Sequence, residues 1–192
     1  MKRRISEKSK KDILDAAREV FSEKGYSKTT IREVAKLSEI SVGGIYLYYK
    51  NKEELYTELT SEQMKTFLMY TEALRNKQPL TALKSLIEGY LDYAIKWTKL
   101  VSMHIKEHDL KLKKPLKKEF LAAQRRLLSD ILTNGIKKGV FRNINCNETA
   151  DVILFSLRGM ILAYISGDIK TPRKQGDFFY KLILNGLKRM DK

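Results

Sequence analysis

The stretch Ser41-Val42-Gly43-Gly44-Ile45-Tyr46-Leu47-Tyr48-Tyr49-Lys50-Asn51-Lys52-Glu53-Glu54-Leu55 decides how this chain folds. Its composition argues against a helix, because glycine costs about 1 kcal/mol relative to alanine inside one. Its spacing argues for one. Val42, Ile45 and Tyr49 stand three and four residues apart, which places them on a single helical face. Ser41 is an N-cap type. The stretch therefore reads as a short helix with one buried side. A second helix start follows at once, since Asn51 and Glu54 repeat the N-cap and N3 pattern and Glu53 lies where the helix dipole favours an acid.

Upstream, Ile13, Leu14, Ala17, Val20 and Phe21 mark one face of a helix that stops at Gly25. Thr30 with Glu33 forms a capping box, so a helix starts there, turns Ile31, Val34 and Ala35 inward and ends near Leu37. Two short helices joined by a tight turn make a helix-turn-helix candidate. Downstream, a longer helix runs to about Arg75, and Pro79 breaks the chain. Thr81 is read as the cap of a helix carrying Leu83, Leu86, Ile87, Tyr90, Ala94 and Trp97. A weaker segment covers 99–110. Pro115 sits near an N1 position before a helix with Phe120, Leu127, Leu128, Ile131 and Leu132, which Gly135 and Gly139 end. Asn147 is read as the cap of a helix over about Glu148–Ser166, and the last helix spans roughly Lys174–Met190. The expected fold is all-α with about nine helices, divided into a helix-turn-helix domain over 1–52 and a second helical domain over 53–192.

Charge then narrows the partners. The chain has 192 residues and a net charge of +15, which favours an anionic partner. Residues 1–52 carry 13 Lys and Arg against 7 Asp and Glu, and residues 111–145 carry 10 against 2, so the basic character is concentrated in two blocks. The single cysteine, Cys146, excludes an internal disulfide and a Cys-based zinc site. The basic N-terminus lacks an apolar segment behind it and is not read as a secretory signal. The longest apolar stretch, Asp151–Ser166, falls short of the ~20 residues a span needs and holds Arg158. A soluble, cytoplasmic protein is expected.

Gly25-Tyr26, Thr29-Thr30, Val34-Ala35, Ser41, Gly43, Ile45, Tyr46, Tyr48, Tyr49 and Lys52-Glu53 follow one another in the order and spacing of a known pattern. The region resembles the DNA-binding part of TetR-type transcriptional regulators. Tyr48 stands where many members have His, which keeps a hydrogen-bonding tip. The segments Asn134–Asn143, Glu148–Ile161 and Phe179–Leu187 look more loosely like that family's last three helices. The resemblance implies a dimeric repressor that binds a double-stranded DNA operator and is released by a small molecule held in the C-terminal domain.

The candidate DNA-binding residues are Thr30, Ser41, Gly43, Gly44, Tyr46, Leu47, Tyr48 and Lys52. The glycines thin the first turn so that backbone N–H groups can face a phosphate, and the hydroxyls and ammonium add donors. The recognition helix lacks Arg, Asn and Gln, so phosphate contact and DNA shape are expected to carry much of the binding. The basic tail before Ile5 either reaches a groove or stays solvated.

Phe67, Tyr90, Tyr93, Trp97, Met103, His104, Phe120, Gln124 and Phe155 are candidates for an apolar site that takes a small hydrophobic effector; plain core packing is the competing reading. The helix over 148–166 is apolar nearly all round and needs covering on every side, which a second subunit supplies. Phe155, Gly159, Leu162, Phe179, Leu182 and Ile183 are the candidate dimer residues. The run Lys111, Lys113, Lys114, Lys117, Lys118 is either a solvated loop or a site for an anionic head group such as that of an acyl-CoA. His104-Ile105-Lys106-Glu107-His108 spells H-x-x-E-H, a zinc-protease motif, but that chemistry belongs to a larger α/β fold. A packed or site-lining histidine is the reading kept, with metal or haem bound at His104 and His108 as the alternative. Neither a cofactor nor catalysis is expected.

Overall fold

The computed structural model describes residues 6–96, 98 and 114–188. Among them are α1 (Glu7–Lys28), α2 (Ile31–Ser38), α3 (Val42–Tyr46), α4 (Lys52–Glu72), a 3-10 turn (Ala73–Asn76), α5 (Pro79–Lys96), α6 (Lys114–Lys137), α7 (Cys146–Ser166) and α8 (Pro172–Leu187). The only strand-like pairing among the described residues is an isolated bridge between Phe141 and Lys188. The all-α expectation holds. The weak segment over 99–110 and the basic tail lie outside the described residues.

The described residues form two compact units, one holding everything up to Lys65 together with residues 98 and 114–116, and the other holding Thr66–Lys96 and the chain from Lys117 onward. In the first, Ile13, Leu14, Ala17, Val20 and Phe21 of α1 pack with Val34, Ala35, Ile45, Tyr49, Leu55, Tyr56 and Leu59 as one buried cluster. The helices begin where their caps dictate. Ser6 Oγ accepts from Ser9 N–H, Ser41 Oγ from Gly44 N–H and Asn51 Oδ1 from Glu54 N–H. At Thr30 both halves of the capping box are closed.

The second unit corrects several sequence expectations. α5 starts at Pro79, with Gln78 as the flanking acceptor for Ala82 N–H, so Thr81 lies inside the first turn. α7 is capped by Asn145, whose side chain accepts from Glu148 N–H; Asn147 sits in the first turn and takes a hydrogen bond from Ser129. α6 runs through Gly135, where a methyl group would overlap the Phe141 ring, so this glycine serves packing and Gly139, at φ 69°, turns the chain. α8 starts at Pro172 rather than Lys174. α7 has 21 residues, and an 18-residue window within it has a mean hydropathy of 1.4, so it is long and apolar enough to cross a membrane by length and composition, longer than the stretch read from sequence. Its inner residues Ala150, Ile153, Leu154 and Leu157 are buried in the second unit's core.

The capping box makes the first unit sensitive to acid. Glu33 accepts from Lys24 and from the Thr30 N–H and hydroxyl, which together hold its carboxyl at about 2 against an ordinary 4.5. A depressed carboxylate contributes stability that is complete above the ordinary value and is lost as pH falls through the folded one. Melting of the protein should therefore fall between about pH 4.5 and 2. Glu33→Gln, which keeps the cap but not the charge, should flatten that part of the profile. An unchanged acid limb in the variant would remove Glu33 from the account.

Candidate functional site

α3 is shorter than its spacing predicted, ending at Tyr46 with Leu47 and Tyr48 in a turn and Tyr49 beyond it, but the expected buried side is there. Ile45 and Tyr49 are in the core, and burial with nearby Glu58, Glu62 and Glu54 pushes the Tyr49 phenol up. On the other side Tyr46 is 51% and Leu47 56% exposed. The two glycines part company. Gly43 faces open space, whereas Gly44 is buried and a Cβ there would stand 2.8 Å from Ile40 Cγ2 and 3.1 Å from Ser41 Oγ. Its N–H is already taken by Ser41 Oγ. Gly44 therefore lets the turn pack closely against α3 and is not part of a thinned outer face.

Tyr48 and Lys52 are also used inside the unit. The Tyr48 hydroxyl accepts the Ser6 N–H at 2.9 Å, which lowers its pKa and pins the start of α1 to the end of α3. Lys52 Nζ donates to the carbonyls of Tyr26 at 2.7 Å, Thr29 at 2.9 Å and Ser27 at 3.4 Å, and lies 4.4 Å from the Tyr26 ring centroid. Gly25, at φ 81° and ψ 169°, breaks the helical path just before these residues and leaves their carbonyls to be satisfied. Thr30 gives its hydroxyl proton to Glu33, while Ser41 accepts at its cap and keeps its own proton to donate.

The surface that stays free holds Tyr46, Leu47, Gly43 and the Ser41 hydroxyl. Arg32, Lys36 and Lys50 are exposed without an ion-pair partner among the described residues, and Leu37 is exposed at the end of α2. Sequence reasoning passed over these four; the i, i+4 spacing of Arg32 and Lys36 on the outer side of α2 was the available signal. A phenol, an aliphatic tip and three unpaired cations suit phosphate contact and limited base contact in a major groove.

In the second unit, Phe67 lies at the centre of an aromatic cluster. Its ring centroid is 5.1 Å from Tyr90, 4.9 Å from Tyr93 and 6.0 Å from Phe120. Burial pushes Tyr93 up to about 12. Gln124, one turn beyond Phe120 on α6, is buried. Phe155 does not join them, because it is exposed on the outer side of α7, and its assignment to the effector site is corrected on that ground. Trp97, Met103, His104 and the H-x-x-E-H motif lie outside the described residues, as do Lys111 and Lys113. Among the described residues no cluster of His, Cys, Asp or Glu has the makings of a metal site.

The outer side of α7 and α8 is apolar. Val152, Phe155, Leu162, Phe178 and Leu182 are between 46 and 66% exposed, Gly159 is open beside them, and Phe179 and Ile183 are half-buried. Phe178 was not singled out from sequence, although it neighbours Phe179.

Comparison with known proteins agrees with this layout. A family model described as "Bacterial regulatory proteins, tetR family" matches residues 13–59. The chain is 32% identical over 168 residues to the fatty acid metabolism regulator protein of Bacillus subtilis, covering 83% of this chain and 80% of that one. It is 25% identical over 200 residues to the transcriptional repressor NicS of Pseudomonas putida, covering 96% and 94%. The fold is similar to that of the regulator FadR from Bacillus subtilis in complex with stearoyl-CoA, with TM-score 0.75, 23% identity and coverage of 92% and 98%. A regulator from Haloarcula marismortui gives TM-score 0.83 at 16% identity, covering 94% and 98%.

Tyr46 and Lys52 should separate in a mutational test. Tyr46→Ala is expected to weaken DNA binding, by about 1–2 kcal/mol for a lost charge-assisted contact, with the melting temperature unchanged. Lys52→Met should lower stability by about 1.5–3 kcal/mol, since three carbonyls lose a charged donor, and weaken binding to every DNA sequence alike. Full DNA affinity in the Tyr46 variant would remove α3's outer face from the interface.

Proposed function

The chain belongs to the TetR family of bacterial regulatory proteins and is a ligand-responsive DNA-binding transcriptional regulator, and from that membership we propose a cytoplasmic repressor without catalytic activity. It binds a pseudo-palindromic operator as a homodimer through residues 1–52, and residues 53–192 hold the effector and the partner subunit. The observation that carries the DNA reading is the exposed Tyr46–Leu47 pair at the end of α3, together with Arg32, Lys36 and Lys50, which are exposed and have no ion-pair partner among the described residues. Tyr46, Leu47, Gly43 and Ser41 meet the DNA. Gly44, Tyr48, Thr30 and Lys52 hold the helices in the geometry that presents them.

The apolar stripe of α7 and α8 supports the homodimer. Five large exposed apolar side chains at helical spacing on α7 and α8 need a cover, and two-fold pairing of the same faces supplies one. The effector is an acyl-chain compound. The Bacillus subtilis relative is named for fatty acid metabolism, and FadR is seen with stearoyl-CoA. The buried aromatic cluster of Phe67, Tyr90, Tyr93 and Phe120 is the matching apolar surface in this chain. Lys117 and Lys118, which are exposed, belong to the basic run available to an anionic head group.

The test starts from a duplex that the protein itself selects from a random-sequence pool. Footprinting should give two protected half-sites ~34–36 Å apart or a multiple of that spacing. Affinity should fall about a thousandfold between roughly 50 and 200 mM salt if six phosphates are contacted. Dodecanoate or dodecanoyl-CoA should release the DNA. A monomer in sedimentation at micromolar concentration, or a single unrepeated half-site, would sink the dimer reading.

A further inference from the structure

The second unit carries a polar problem in an apolar place. Among its described residues, the buried side-chain polar atoms without hydrogen-bond partners all belong to Gln124 and Tyr90: both amide atoms of the one and the hydroxyl of the other. Gln124 is 2% and Tyr90 6% exposed. An unsatisfied buried donor or acceptor costs about 1–3 kcal/mol, and leucine or phenylalanine would fill the same volumes without that cost. Buried polar groups left without protein partners call for an explanation, and a bound ligand is one that fits an apolar site.

The two residues belong to the aromatic cluster. Phe120 precedes Gln124 by one turn of α6, its ring is 6.0 Å from Phe67, and Phe67 is 5.1 Å from Tyr90. A third polar group adjoins Tyr90. Arg158 of α7 is half-buried, makes no ion pair among the described residues, and spreads its guanidinium 5.6 Å from the Phe155 ring. Burial is the larger influence and keeps the Tyr90 phenol protonated; the guanidinium acts against it by its charge and by a loose hydrogen-bonding contact that leaves the hydroxyl's own proton free to donate.

We infer that Gln124 and Tyr90 bind the carboxyl group of a free long-chain carboxylic acid, with Arg158 beside them as a further donor. The inference rests on the reading of the second unit as an acyl-ligand site. Its chemistry follows from counting donors and acceptors. The carbonyl oxygen of an undissociated acid accepts from Gln124 Nε2, its hydroxyl donates to Gln124 Oε1, and the Tyr90 hydroxyl donates to a remaining lone pair. All three unpaired atoms are then satisfied, and burial favours the undissociated form. A thioester carbonyl has no proton to give and leaves Gln124 Oε1 unpaired. An alkane leaves all three.

Titration calorimetry of the full chain, with Gln124→Leu and Tyr90→Phe beside wild type and dodecanoate, dodecanoyl-CoA and dodecane as probes, tests this. Each variant should lose about tenfold in affinity for dodecanoate, keep its affinity for dodecane and melt no lower than wild type. Variants that bind dodecanoate as tightly as wild type overturn the inference. So does a wild type that takes dodecanoyl-CoA and refuses dodecanoate, which leaves the acyl-ligand reading standing. A wild type that binds operator DNA and ignores all three probes overturns both.

Discussion

One ammonium group holds the first unit together. At Gly25 the chain leaves the helical path, and the carbonyls of Tyr26, Ser27 and Thr29 are left at the negative end of α1. Lys52, the first residue of α4, supplies them all and covers the Tyr26 ring as well. That ring sits 5.9 Å from Phe21 and 5.1 Å from Tyr56, so the cation closes one side of an aromatic trio linking α1 to α4. Only Thr29 and Thr30 separate α1 from α2. Its position, and through the turn that of α3, is therefore set by where α1 ends.

This explains how the unit divides its polar side chains. Thr29, Thr30 and Tyr48 give their hydroxyls to backbone or to Glu33, and Lys52 gives its charge to carbonyls. Such residues look like DNA contacts in a linear reading because they are polar and close to the recognition helix. Their work is to position it. What remains for a partner is a small set: a phenol, a leucine, a serine proton and three unpaired cations. Such a set favours phosphate and shape over base edges.

Most of the fold was legible from sequence because it is written locally. The Thr30–Glu33 box, the Ser41 and Asn51 caps and the Val42, Ile45, Tyr49 face each involve residues within eight positions, and each is in place. What escaped was written at long range. Tyr48 meets Ser6 across 42 positions and Lys52 meets Tyr26 across 26, so no window around α3 shows either partner. Gly44 looked like its neighbour Gly43 until Ile40 was seen against it. Gln124 was named from sequence as a polar group among aromatics, but its lack of a partner is a property of packing that spacing does not carry. At α7, Asn145 and Asn147 are equally good caps by type, and only the hydrogen bond to Glu148 separates them.

If the open stripe on α7 and α8 pairs two chains, it ties regulation to gene dosage. If only the paired form grips the operator, occupancy at low abundance grows with the square of the number of chains per cell, because two must meet first. Halving expression then lowers occupancy about fourfold in that limit. A strain would lose silencing abruptly as the regulator is diluted by growth, and recover it as abruptly when synthesis catches up. Such steepness needs no cooperativity between DNA sites; pairing of two chains through the exposed Val152, Phe155, Leu162, Phe178 and Leu182 would be enough.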